Sequence, residues 1–364
     1  MLSRNASIFL DILRIFSAEL VVIGHLWFFV ENTTEKTAFS FLGNIGVFFF
    51  FILSGMLISE SVFRRSHDPT YTFKHFFVDR FSRIYSGLIP CLGIILVVNL
   101  IHVGLNSDHF SFFLGKPESL NVWNFISNLF MLQGKKSMFG IGYDYFGDSF
   151  PLFTLAIEWW LYMSFGWYVL QHTKKKSLFD MRFFIPLLIF SVVPFFRMFV
   201  SNESLVFAWY LGVLATVLLL KKQEILSRYI WIFYLAITLT VLQLLYDLNL
   251  YFGEKPFEFY QDYLLPIWFA GLVLFIVLLL NKKKDDVFHP KVASLSKFMA
   301  GYSYTLYILH FSVISIVFLF ASRLPVWMAA VLAFGVANSI SALVAYCTEM
   351  RYKQLSTYLK RVTG

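Results

Sequence analysis

Long apolar runs separated by short polar stretches dominate this chain. Their lengths predict helices that cross a membrane, not the shorter amphipathic helices of a soluble core. Segments at 8–29, 40–62, 84–104, 152–171, 183–201, 205–220, 229–246, 262–280, 298–320 and 326–347 predict about ten transmembrane helices, those at 205–220 and 229–246 being short. The apolar run 121–132 is too brief to span and reads as a re-entrant or interfacial piece. No periodic repeat, low-complexity tract or Pro/Gly-rich linker breaks the pattern, so residues 1–364 read as a single all-α, polytopic membrane domain without an appended soluble domain. The first run is too long for a signal-peptide core, carries charges and lacks a small-residue cleavage site, so it is expected to stay in the mature protein.

Composition removes the soluble alternative: 58% of the 364 residues are hydrophobic and 14% are charged, too little polar surface for a water-soluble domain. The two cysteines, Cys91 and Cys347, both lie in apolar stretches and supply neither a disulfide framework nor metal-ligand spacing, so no metal is expected. Lysine and arginine then orient the helices. Of the 30, 22 fall on one set of alternating connecting segments and 6 on the other, with Arg14 and Arg197 inside spans. By the positive-inside rule the richer set is cytoplasmic, which puts both termini in the cytoplasm. The net charge of +8 is mostly this bias and implies no nucleic-acid partner.

With the orientation set, polar residues within the spans sort by depth. The first span, LDILRIFSAELVVIGHLWFF, holds Arg14 and His25 on nearly one helix face, about 16 Å apart along the axis. Arg14 falls about 9 Å above the inner boundary, with Ser54 and Gly55 at a similar level. Arg80 and Arg83, in FVDRFSRIYSGLIP, lie beneath them at the cytoplasmic boundary. An upper layer holds His25, Glu158 of LFTLAIEWWLYM, Arg197 and His310 of SYTLYILHF, at about 18–25 Å by helix rise. Guanidinium forks open to the cytosol suit an anionic ligand. A histidine near a carboxylate and away from bulk water suits general-base work.

Each feature also has a plainer reading. His25 could be a packing or hydrogen-bonding residue, and Arg14 could pair with Asp11 at i,i+3. Arg80 and Arg83 could be topology determinants, Glu158 and Arg197 a buried ion pair, and Ser54-Gly55 a close helix contact. Intramembrane Arg, His and Glu would also suit a proton-coupled transporter of a small anionic solute, although the halves show no evident repeat.

The segments LDILRIFSAELVVIGH, GVFFFFILSG, RFSRIYSGLIP, LFTLAIEWWLYM and SYTLYILH occur in an order that resembles the membrane acyltransferase 3 family of bacterial polysaccharide O-acetyltransferases. The arginine followed after ten residues by a histidine is the most specific of the five. The resemblance implies a multi-pass protein of the bacterial inner membrane. Acetyl-coenzyme A would be the cytosolic acyl donor, and a sugar hydroxyl of O-antigen, lipopolysaccharide or another lipid-linked or surface glycan the acceptor. It also implies roles: Arg14 and His25 as the essential pair, Arg80 and Arg83 as the arginine motif, Ser54-Gly55 as the small turn, Glu158 as the acid of the fourth span, and Tyr304 and His310 as the motif of the ninth.

On this basis His25 is expected to be the general base with Glu158 orienting it, and Arg80, Arg83, Arg14, Ser54 and Gly55 to meet the donor. Arg197, Tyr304 and His310 are expected to meet the acceptor or the oxyanion. A covalent acyl-enzyme on Ser54 or His25 is the other chemical order. The sequence departs from the family's pattern ahead of Glu158, where Phe153, Thr154 and Leu155 replace a usual tryptophan and serine, and in Trp159-Trp160 after it. Some relatives carry an appended periplasmic domain. None is expected here, so transfer is completed by the membrane domain or by a separate periplasmic acyl-transfer partner. The outer loop 105–151 offers Trp123, Tyr143 and Tyr145 with Asp144 and Asp148 as sugar contacts or interfacial anchors.

Overall fold

A computed structural model describes residues 2–31, 38–105, 120–133, 144–147, 149–173, 203–228, 231, 235, 238–243, 245–246 and 264–363. The helices are α1 (Arg4–Glu31), α2 (Ala38–Ser66), α3 (Phe73–Gly104), α4 (Val122–Leu129), α5 (Leu152–Thr173), α6 (Glu203–Arg228), α7 (Leu264–Lys282), α8 (Pro290–Phe320), α9 (Val326–Cys347) and, after a single 3-10 turn at Glu349–Arg351, α10 (Tyr352–Thr363). No strand occurs among the described residues. Six helical stretches among them are long and apolar enough to cross a membrane: Phe41–Ser66, Phe73–Gly104, Ser204–Lys221, Leu264–Lys282, Pro290–Phe320 and Val326–Val362. Against the ten expected, α1 and α5 also reach spanning length, but Asp11, Arg14, Glu19 and His25 interrupt the first and Glu158 the second. The expected span 183–201, most of 229–246 and much of the 105–151 loop lie outside the described residues.

One boundary moves in a way that matters for chemistry. The span expected to begin at residue 84 starts eleven residues earlier, at Phe73. The backbone N–H of Thr72 donates to Nδ1 of His75 over 3.2 Å, tying down the start of the helix. Counting apolar residues alone misses this turn-rich polar start. Arg80 and Arg83 therefore ride on α3 itself, one turn apart on one face.

Contacts cluster the chain into two units. The first comprises Met1–Gly24, Lys36–Ser61 and Asn202–Ala300. Its close approach is between α2 and α6, where a Cβ on Gly55 would collide with the Trp209 carbonyl oxygen and one on Gly212 with that of Ile52. Glycine at both positions lets the two backbones touch. Phe49 stacks on Phe269 of α7 at 4.5 Å between centroids. The start of α1 is tied to the turn after α7: Asn5 donates to the Asp285 carbonyl and accepts from the Val287 N–H.

The second unit comprises His25–Glu35, Val62–Ser201 and Gly301–Gly364. Its axis is α3, against which α5, α9 and α10 pack. Asp79 of α3 holds Arg65 at 2.8 Å and Lys360 at 2.5 Å and accepts from the Ser356 hydroxyl, binding the end of α2 and the helix α10 to one carboxylate. The run expected to be re-entrant or interfacial forms α4 and a following turn. This short helix buries Asn124, Ser127 and Asn128 and exposes Val122, Trp123 and Ile126, the reverse of a helix on a water-soluble protein. Its C-terminal carbonyls are taken by neighbours, Leu129 by the Tyr85 hydroxyl and Met131 by the Trp160 indole at 2.8 Å.

Candidate active site

His25 lies near the C-terminal end of α1, and His310 is fully buried on α8. Nδ1 of His25 stands 2.9 Å from Nε2 of His310, and Nδ1 of His310 stands 3.0 Å from the carbonyl oxygen of Leu306, one turn back on α8. A carbonyl only accepts, so the proton of neutral His310 sits on Nδ1 and the lone pair on Nε2. That lone pair accepts from Nδ1–H of His25. The remaining lone pair of the two rings is therefore on Nε2 of His25. The sequence paired His25 with Glu158, but the ring that occupies its Nδ1 is His310.

Aromatic side chains wrap the pair. The rings of Phe28, Phe150 and Phe311 meet His25 edge-on at 5.7, 6.1 and 5.6 Å between centroids. Tyr307 is 6.2 Å from His310, and its hydroxyl is 2.6 Å from that of Thr154 on α5. Such walls restrict water and raise the worth of each polar contact inside.

Glu158 is half-buried on α5, within electrostatic reach of Tyr304. Tyr304 donates to the Ile84 carbonyl of α3 at 3.2 Å, and a Cβ on Gly87 would come within 2.9 Å of its ring. Arg83 faces a carboxylate that sequence reasoning missed. Glu349 is 2% exposed; Oε2 accepts from the Thr305 N–H at 3.2 Å and from the Thr305 hydroxyl at 2.9 Å, and Oε1 stands 3.9 Å from Arg83. The one signal for Glu349 was its position, the last acid before a C-terminal stretch with four cations and no further acid. The guanidinium of Arg83 also lies over the Tyr352 ring at 5.2 Å. Arg80 lies 5.7 Å from the Phe76 ring, and its Nε is buried without a hydrogen-bond partner among the described residues.

In the first unit, Arg14 is 3.7 Å from Asp11, the i,i+3 pairing the sequence allowed. Ser54 accepts from the Trp209 indole at 3.2 Å, and Gly55 forms the close contact with α6. Arg197, Tyr143 and Asp148 lie outside the described residues. Among the described residues no group of three His, Cys, Asp or Glu side chains is arranged to hold a metal.

A model of the acyltransferase 3 family, described as an acyltransferase domain, matches residues 7–346. The chain belongs to that family. It is also similar to an O-acetyl transferase of Shigella phage Sf6, 27% identical over 203 residues, which is 54% of this chain and 55% of the phage protein. The match thus spans about half of that relative's length. No solved structure matches the chain. His25, His310 and Arg80 lie in one unit.

Proposed function

We propose that this chain is a multi-pass O-acetyltransferase of the bacterial inner membrane. It moves an acetyl group from cytosolic acetyl-coenzyme A to a sugar hydroxyl of O-antigen or another lipid-linked or surface glycan. The observation that carries the reading is the hydrogen-bonded series Leu306 carbonyl, His310, His25, which leaves one basic nitrogen on His25. As the acceptor oxygen bonds to the thioester carbonyl carbon, its proton passes to Nε2 of His25. The positive charge that forms is shared through Nδ1–H with His310, the part a carboxylate takes in other histidine bases. When the tetrahedral intermediate collapses and the carbon–sulfur bond breaks, the proton passes from Nε2 to sulfur. Coenzyme A leaves as the thiol, and His25 is neutral again.

The nucleotide phosphates of the donor fit Arg80, half-buried with a buried Nε that has no partner among the described residues, and Arg83 one turn on. Arg14, Ser54 and Gly55 are assigned to the donor and Tyr304 to the acceptor on the family resemblance, and Arg197 to the acceptor or the oxyanion on its depth in the fifth span. With residues 1–364 taken as one membrane domain and both termini cytoplasmic, the donor enters from the inner side.

The test is release of coenzyme A thiol by purified protein in nanodiscs, given acetyl-coenzyme A and a lipid-linked glycan extract. Glycan-dependent release that disappears in His25→Ala is expected. Release without acetyl ester on the glycan, or equal release by His25→Ala, would overturn the reading.

A further inference from the structure

Residues 144–147 and 149–150, just before α5, form a strap held at four points. The Asp144 carbonyl accepts from the Asn128 amide of α4 at 3.1 Å. Phe146 is buried with its ring 5.2 Å from that of Phe125. Gly147 has φ +63°, and a Cβ there would come within 2.8 Å of the Asn99 amide of α3, so both its conformation and its contact call for glycine. The Ser149 hydroxyl donates to the Ile308 carbonyl of α8 at 3.2 Å. So many ties on so short a segment fix its side chains in place.

What the strap holds is aromatic and close to the base. Phe150 is 6.1 Å from the His25 ring, and Tyr145 stands edge-on to Phe150 at 5.5 Å. Tyr145 and Phe150 are half-buried, whereas Asp144 is exposed. Burial, with the Asp144 carboxylate beside it, pushes the Tyr145 phenol above its ordinary value, so its hydroxyl stays a donor. Asn99, where the strap touches α3, is sixteen residues beyond Arg83, about 24 Å further along the axis. The strap is thus at the far end of α3 from the arginines.

We infer that this strap is the acceptor's seat: the ring faces of Tyr145 and Phe150 receive a pyranose ring, with Asp144 and the Tyr145 hydroxyl bonding its polar edge, so that one sugar hydroxyl reaches His25. The inference rests on the acetyl-transfer reading above. A pyranose presents a face of C–H groups and a rim of hydroxyls, which an aromatic platform with few polar groups recognises and an acyclic polyol does not reproduce. Rings that only sealed His25 from water would show no such preference.

The test compares two acceptors with the same anchor, decyl glucopyranoside and 1-O-decylglycerol, using full-length protein in nanodiscs with acetyl-coenzyme A. Wild type should favour the pyranoside in kcat/KM. Tyr145→Ala should cut that preference about tenfold, mainly through acceptor KM, while Tyr145→Phe, which keeps the ring face and loses the hydroxyl, should cut it less, about threefold. Direct binding of acetyl-coenzyme A should be the same in all three. An equal loss toward both acceptors, weaker donor binding, or faster thioester hydrolysis with unchanged preference would overturn the seat. If thioester consumption depends on His25 but wild type shows no preference, the seat alone falls; if it does not depend on His25, the acetyl-transfer reading falls and the seat with it.

Discussion

The two polar clusters of the second unit are built on opposite principles. Around His25 the groups are neutral rings and a carbonyl, joined by bonds of 2.9 and 3.0 Å and walled by phenylalanines. Around Arg83 and Asp79 they are full charges, with two acids set among Arg65, Arg83 and Lys360. A neutral pair carries no charge at rest, and the charge it takes up with a proton is balanced only while an oxyanion develops beside it and is lost when the proton leaves, which suits a proton carrier in an apolar surround. Fixed charges do the reverse, holding an element or an anion in place at any ordinary pH. The difference teaches that the polar residues of this unit divide by whether they carry charge at rest.

The sharpest break of this comparison is His25→Ala. Loss of a general base costs about 10²–10⁴-fold in turnover, and His310 does not replace it because its ring is fully buried and its Nε2 lies a whole imidazole ring behind that of His25. Turnover should fall by at least about a hundredfold while donor affinity, measured by direct binding, stays at the wild-type value. Retained turnover would remove the neutral cluster from the chemistry.

Substitutions at His310 test whether its part is to fix the tautomer. His310→Gln can present a carbonyl oxygen to Nδ1–H of His25, preserve the tautomer and keep turnover within about tenfold of wild type. His310→Lys presents only donors, moves the proton of His25 to Nε2 and should cost at least about a hundredfold. A residue that merely packed would respond to the loss of its shape in both variants alike, so equal effects on kcat would break the argument.

Arg80 and Arg83 differ within the charged cluster. Arg83 already faces Glu349 at 3.9 Å, whereas Nε of Arg80 is buried without a partner among the described residues. Arg80→Lys should therefore raise the KM for acetyl-coenzyme A about tenfold by losing the planar fork, and Arg83→Lys should raise it less. Equal donor affinity in wild type and Arg80→Lys would leave Arg80 a charge that only orients the helix.

Much of this was legible in the sequence, for identifiable reasons. The bounds of α9 match the apolar run 326–347 because no charged residue blurs either end. The run 121–132 announced a non-spanning element by its length, and α4 follows. The start of α3 was not legible, since its first turns mix Lys74, His75, Asp79 and Arg80 among the apolar residues and are held through Asp79 by a C-terminal helix remote in sequence. Nor was the bond between His25 and His310, 285 residues apart, because pattern places each ring on its own helix and says nothing of which helices adjoin. Ser54-Gly55 carried two readings; the contact with Trp209 is the plainer of them.

The smallest expected effect separates anchoring charge from surface charge. Glu349 is 2% exposed and accepts two bonds from Thr305 besides facing Arg83, so Glu349→Gln weakens the joint between α8, α3 and the C-terminal helix. The ion pair itself is long, and Arg83 is about a third exposed, so solvent screening discounts its share. The amide oxygen of glutamine can still accept from Thr305. A fall of a few degrees in the unfolding midpoint is expected. The control is Asp286→Asn, which breaks an exposed pair with Arg4 at 2.6 Å and should leave the midpoint almost unchanged, since such pairs are worth about 0–1 kcal/mol. Equal midpoints for the two variants, measured in the same detergent, would mean that the buried carboxylate anchors no more than the surface one and that the charged cluster owes its order to packing alone.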